Sequence, residues 1–236
     1  MRKHVTAGIA ALAIVTASPA MAREVTVEIT NLTNAISYTP LLVVVHDRNF
    51  HMFEVGQLAT ANLRAMAEGG DIIGLTADAV SAGAAVVANP AAGVLAPGAT
   101  TTAEFDLPAR KQYLSLVAML LPTNDGFVGL DAATIRPRNK KPQTFYLYGY
   151  DAGTEANNEL INGGGAPGVL GIPGDPSGLG GTGGSGVTTD PDHNTTVHIH
   201  RGILGDDDPT GGISDLNRAA HRWHNAVARV VVYTGN

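Results

Sequence analysis

Two short acidic segments hold the residues best suited to chemistry: Leu-Pro-Thr-Asn-Asp-Gly-Phe-Val-Gly at 121–129 and Tyr-Asp-Ala-Gly-Thr-Glu at 150–155. Each follows an apolar, strand-like run, so Asp125, Asp151 and Glu155 are expected together at one end of a β-sandwich. Three carboxylates gathered there would repel one another, and a hard divalent cation bound through oxygen would offset that repulsion. Calcium is the expected ion. The plain alternative is that Asn124-Asp125-Gly126 and Asp151-Ala152-Gly153 are turns whose aspartates bond their own backbone, with Glu155 a solvated charge. Spacing by itself leaves both readings open, because calcium needs about 6–8 oxygens collected in space.

His198 and His200 lie two apart in a strand-like run, a spacing that puts both imidazoles on one side and suits zinc or copper. His193, His221 and His224 are the candidates for further ligands, although such a pair is more often hydrogen-bonded packing. Asp190-Pro-Asp192-His-Asn194 imitates the start of an EF-hand, but Thr195 stands at the glycine position and Arg201 at the bidentate glutamate position, so that motif is rejected. Asp206-Asp207-Asp208 reads as a solvated turn, with a second, weak cation site as the alternative. Arg136, Arg138, Lys140 and Lys141 form a basic cluster between the acidic loops, suited to an anionic lipid or polysaccharide and ordinarily just solvated. There is no Gly-x-Ser-x-Gly elbow, no His-Glu-x-x-His helix and no phosphate-binding loop.

The N-terminus carries Arg2 and Lys3, an apolar stretch from Val5 to Val15 and Ala20-Met21-Ala22, the pattern of a signal peptide spanning residues 1–22. That stretch is shorter than the roughly 20 residues a bilayer requires, and no later segment is longer and charge-free. The expected product, residues 23–236, is a single soluble domain, secreted or periplasmic. Acidic residues exceed basic ones by 21 to 15, which argues against generic nucleic-acid binding. With no cysteine there can be neither a disulfide framework nor a thiolate metal site.

The elements that must position the acidic loops are short strands. Arg23 to Thr30 alternates Val25, Val27 and Ile29 on one face. Ile36 to Val45 is a second strand, with Pro40 marking an edge or bulge because proline cannot donate to the ladder. Residues 58–68 read as a short helix closed by Gly69-Gly70. Further strands are expected at Ala85–Ala88, Thr101–Leu107, Gln112–Leu121, Gln143–Tyr150, Thr195–His200 and Ala226–Thr234, with a helical turn around Leu216–Trp223. Between Gly163 and Gly186 half the positions are glycine, which reads as a long, flexible surface insertion. The pattern is that of an all-β sandwich with one or two short helices and a long Gly-rich loop.

The two acidic motifs, in this order, resemble the spondin N-terminal domain family, in which Ser-Pro-Asp-Trp-Phe-Val-Gly and Tyr-Asp-Ala-Gly-Thr-Asp together hold calcium. The resemblance runs from about Val25 to Tyr233 and includes His200-Arg201-Gly202 and Ala228-Arg229-Val230. It implies an antiparallel, jelly-roll-like β-sandwich and, by matching positions, Asp125, Asp151 and Glu155 as calcium ligands. Gly126 stands where the family commonly has tryptophan, and Glu155 where it has aspartate; the absence of cysteine departs from the animal members, which bear disulfides. The implied function is a calcium-binding module for adhesion or surface binding, not an enzyme, with an extracellular-matrix or cell-surface lipid, glycan or protein as partner. The rival is a secreted hydrolase using the acidic loops as acid and base, or the histidines around a metal; it requires a concave pocket with the carboxylates at its floor. A structural matrix component with a vestigial site is a third reading.

Overall fold

The computed structural model describes residues 23–107, 112–136, 141–188 and 193–235. The expected signal peptide therefore lies outside the described residues, as do Arg138 and Lys140 of the basic cluster and Asp190 and Asp192 of the rejected EF-hand motif.

Strand β1 (Arg23–Asn31) runs between β5 (Thr100–Leu107) and β10 (Ala228–Thr234), with Val27 opposite Ala103 on one side and Val232 on the other. Beyond β10 comes β8 (Gln143–Asp151), which changes partners along its length. Its first half pairs with β10, and its second half pairs with β7 (Gly126–Thr134) and with the short β9 (His198–Ile199). The path continues through β6 (Tyr113–Leu121) and β3 (Leu42–His46) to β4 (Ala85–Ala88), while β2 (Ser37–Tyr38) pairs with the end of β6. Every strand pair is antiparallel, and the two ends of the path, β4 and β5, touch, so the sandwich nearly closes into a barrel. The all-β expectation holds. The break between β2 and β3 falls at Pro40, as its missing N–H requires.

Two cores lie on opposite faces of the β3–β6–β7 segment. Val43 and Val45 of β3 and Leu114, Leu116, Ala118 and Leu120 of β6 point into the sandwich with Val27, Ile29 and Val230. Leu42, Val44, Val117, Met119 and Phe127 point the other way, against Leu63, Met66 and Ala67 of α1 (Ala61–Gly69) and Leu75 and Ala79 of α2 (Ile73–Ser81). Burial on both faces explains why β6 reads as an unbroken apolar run. Helix α1 starts where Thr60 Oγ1 accepts the Leu63 N–H at 3.1 Å and ends at Gly70, whose φ of 72° suits glycine.

Three helices are present among the described residues where one or two were expected, α3 being Arg218–His221. The additional one, α2, has no capping side chain at Ile72, and its second residue is glycine, which removes the usual start signal. Gly74 is needed there: a Cβ would lie 2.3 Å from Asn62 Oδ1 on α1. A second difference is that most of the segment read as the first acidic loop is strand. Gly126–Gly129 opens β7, with Phe127 and Val128 facing the two cores, and two side-chain-less glycines dilute the strand signal. Farther along β7, Asp131 and Ala132 together oppose Ser115 in a β-bulge, whose Ala132 N–H donates to Ser115 Oγ at 2.8 Å.

The Gly-rich tract has no helix or named strand, yet it is tied to the domain. Ile172 is fully buried in the sandwich core, the Gly168 N–H donates to Glu68 at 2.6 Å and the Gly184 N–H to Asp215 at 2.9 Å.

Leu116 fills the sandwich core with no exposure. Leu116→Ala should cost about 3 kcal/mol, seen as a lower urea midpoint with an unchanged m-value.

Candidate cation site

The chain leaves β6 at Leu121, turns through Pro122–Asp125 and enters β7 at Gly126. Thr123 closes the turn: its Oγ1 donates to the Leu120 carbonyl at 2.6 Å and accepts the Gly126 N–H at 3.0 Å. A Cβ at Gly126 would lie 2.7 Å from Thr123 Oγ1 and 3.0 Å from His200 Cδ2, so this packing excludes a side chain where the spondin pattern has tryptophan.

Asp125 is fully buried. Its carbonyl accepts the Ala152 N–H at 3.2 Å, and its Oδ2 accepts the Thr154 N–H at 2.7 Å, the Thr154 hydroxyl at 3.1 Å and the Glu155 N–H at 3.1 Å. The second loop is thus wrapped over the first. Oδ1 has no partner. Burial pushes the Asp125 pKa up to about 8, and the Asp151 charge beside it pushes the same way, against the three hydrogen bonds from 154 and 155.

Asp151, the last residue of β8, is paired in register with Gly126 of β7 and His198 of β9. Its Oδ1 accepts the Gly153 N–H at 2.8 Å and lies 3.9 Å from His198 Nδ1, while Oδ2 accepts from Asn157 Nδ2 at 2.7 Å. Glu155 is also buried; its Oε2 accepts the Gly171 N–H at 3.0 Å and Asn124 Nδ2 at 3.4 Å, and its Oε1 has no partner. Burial, then the neighbouring Glu68 charge, raise its pKa to about 7 against those hydrogen bonds and Arg64.

Asp125, Asp151 and Glu155 thus meet at one end of the sandwich: the Asp125 carboxylate accepts the Glu155 N–H and feels the Asp151 charge, while the Glu155 carboxylate also feels the charge of Glu68. Among the described residues no three His, Asp or Glu side chains converge as a metal-binding group. What does fit a hard cation is the donor set, all oxygen, with two buried carboxylate oxygens lacking any other partner.

Glu68 belongs to neither acidic motif, yet it is a fully buried carboxylate on α1 that pairs with Arg64 Nε at 2.7 Å and accepts the Gly168 N–H, three residues before the Gly171 that bonds Glu155. The available signal was a charge next to the apolar face formed by Leu63, Met66 and Ala67. Glu159 likewise lies outside both motifs and is buried at φ 58°, accepting the Leu204 and Gly205 N–H groups at 2.7 and 2.8 Å.

His198 and His200 both lie near Asp151, while the other candidate histidines are placed elsewhere. His200 is buried, accepts the Gly202 N–H on Nδ1 at 2.9 Å and leaves Nε2 without a partner; burial lowers its pKa, Asp151 opposing. His221 lies elsewhere, with Nε2 3.1 Å from Ser177 Oγ and 3.4 Å from Asp175. His193 and His224 are exposed. Asp206 caps a turn by accepting the Ile213 and Ser214 N–H groups at 2.7 and 2.9 Å, and Asp207 pairs with Arg218. Arg136 and Lys141 are exposed.

The raised carboxyl pKa values carry a pH dependence. An unfolded aspartate or glutamate titrates near about 4, so between there and about 7 to 8 the folded chain keeps protons that the unfolded chain has released. The stabilisation is complete below that window and is lost as pH rises through it. Burial also lowers the pKa of His46 and His200, so the comparison that isolates the effect is wild type against Asp125→Asn. In chelator, the melting temperature of wild type should fall between pH 5 and pH 8 by more than that of Asp125→Asn, with a difference above the roughly 2–4 °C that corresponds to 1 kcal/mol at this size.

Residues 30–159, just over half of the chain and including both acidic loops, match the Spondin_N family. Spondin-2 of Homo sapiens is 30% identical over 125 residues, covering 50% of this chain and 38% of that protein. Spondin-2 of Rattus norvegicus is 30% identical over 129 residues, again 50% of this chain and 38% of the relative. The chain therefore aligns with well under half the length of these relatives. With the antiparallel sandwich and both acidic motifs inside the matched region, the chain belongs to the spondin N-terminal domain family.

Proposed function

We propose that this spondin-family chain is an exported binding module in which Asp125, Asp151 and Glu155 hold a calcium ion that orders the loops at one end of the sandwich. The observation that carries the reading is the pair of orphaned oxygens, Asp125 Oδ1 and Glu155 Oε1. A buried, ionised carboxylate oxygen without a partner is costly, and removing that cost is what a cation supplies when bound. Asp125 and Glu155 offer those oxygens directly. Asp151 adds a second negative charge beside Asp125 and, through Gly153 and Asn157, keeps the second loop in place. Amide, backbone and water oxygens would complete the shell.

The role is binding at an extracellular-matrix or cell-surface component. Support for export comes from the basic, apolar and small-residue pattern of residues 1–22. Among the described residues no helix is long and apolar enough to cross a membrane.

Calorimetry at pH 7 on wild type and Asp151→Ala, each in calcium and in chelator, tests the reading. Calcium at about 100 times its dissociation constant should stabilise wild type by about 2.7 kcal/mol and leave Asp151→Ala nearly unmoved. Equal melting in calcium and in chelator for both proteins would remove the proposal.

A further inference from the structure

A pocket of about 110 Å³ opens between β9 and the segment that follows α3, lined chiefly by Tyr148, Ile199, Arg201, Trp223, His224 and Asn225. Its volume suits one small cyclic unit rather than an enclosed larger ligand. The Trp223 indole is held from two sides. Its ring lies on that of His200, centroids 5.1 Å apart at 34°, and its Cζ2 and Nε1 lie 3.3 Å from where a Cβ at Gly149 would stand. The missing side chain of Gly149 is what lets the indole settle against β8, so this aromatic group is positioned before any ligand arrives.

The rest of the lining is chemically uncommitted. Within the described residues the Tyr148 hydroxyl, the His224 imidazole and the Asn225 amide make no hydrogen bond, and all three side chains belong to exposed residues. Arg201 spends Nη2 on the Asn157 carbonyl at 2.8 Å and keeps its other donors. No carboxylate lines the pocket, which disfavours an amine or a metal ion, and one partly committed arginine is a poor phosphate clamp. Ile199 is the only aliphatic side chain in the lining, too little for an acyl chain.

What remains is a ligand with an apolar C–H face and a rim of groups that both donate and accept. We infer that the pocket binds a pyranose ring of a saccharide, the ring lying against the aromatic wall and its hydroxyls meeting Arg201, His224 and Asn225. Amide and neutral imidazole each carry a donor and an acceptor, as hydroxyl groups require. Tyr146, 62% exposed, follows Tyr148, 54% exposed, on the same face of β8, so the aromatic surface continues past the pocket and a polymer gains contacts that a free sugar lacks. This inference names the class of partner left open by the binding-module reading, at a site distinct from the acidic loops.

Trp223 is the sole tryptophan of the chain, so its fluorescence reports on this pocket alone. The full chain is titrated with methyl glucoside, galactoside and mannoside, with N-acetylglucosamine, with soluble polymers of these sugars, and with phosphatidylglycerol vesicles, in calcium and in chelator. At least one sugar should change the emission saturably, with a dissociation constant on the order of 1 mM for the monomer and a lower one for its polymer. His224→Ala with Asn225→Ala, and separately Tyr148→Ala, should weaken binding at least about tenfold while the melting temperature stays near wild type. Saccharide binding that persists in chelator supports the pocket even where the calcium experiment fails. No saturable response to any sugar, a response to the vesicles alone, or binding unchanged in both variants would overturn the inference.

Discussion

The Asp125 carboxylate joins the two halves of the site. It sits without exposure at the turn between β6 and β7 and draws the main chain of Thr154 and Glu155 down onto itself. Because its own carbonyl also takes the Ala152 N–H, the exit of β8 cannot move independently of the entrance to β7. The arrangement is expensive in charge: a buried carboxylate next to Asp151, with one oxygen unpartnered, is pushed toward protonation. A protein that keeps such a group under tension needs either a proton or a cation there.

The sandwich makes that joint possible by a change of partner within one strand. β8 pairs with β10 at Phe145 and Leu147 and with β7 from Tyr148 onward, so it reaches the loop end with β7 on one side and β9 on the other. Asp151 thereby lies in register with both Gly126 and His198. The helix layer contributes from the far side: α1 packs on the outer face of β6 and carries Glu68, which fastens the Gly-rich tract next to Glu155. Glycines at 165 and 171 let neighbouring atoms approach that tract more closely than a Cβ would permit, and Gly149 leaves Trp223 a close fit against β8 that a Cβ would crowd.

The strands carrying period-two alternation were legible in the amino-acid order. β1, β5 and β10 each bury one face and expose the other, and that asymmetry is written in Val25, Val27 and Ile29, in Ala103, Phe105 and Leu107, and in Ala228, Val230 and Val232. Helix α1 was legible through its apolar stripe and closing glycine. β7 was not, since its opening residues are two glycines flanking Phe127 and Val128, whose side chains go to two different cores, and so show no apolar–polar period. Helix α2 was hidden because no capping residue stands at Ile72 and its second residue is glycine, although Asp71 Oδ1 accepts the Ile73 N–H. At the site, residue type and order marked Asp125, Asp151 and Glu155, while Glu68 gave only a charge beside a buried helix face, a signal that gains meaning once α1 is laid on the sheet.

Local order along the chain therefore determined the all-β class, the break at Pro40, the placement of the acidic turns at strand ends and the two-motif resemblance to the spondin family. Each of these follows from residues within a few positions of one another, whose side-chain period and turn chemistry act locally. Tertiary structure alone decided the direction in which each carboxyl group points, which oxygens find an N–H, and the meeting of Trp223 with Gly149 and His200. Those outcomes depend on contacts across many tens of residues, set by the register of β7, β8 and β9 and by the packing of the Gly-rich tract. Burial, which turns an ordinary aspartate into a strained one, is a property of that three-dimensional neighbourhood and not of the residue.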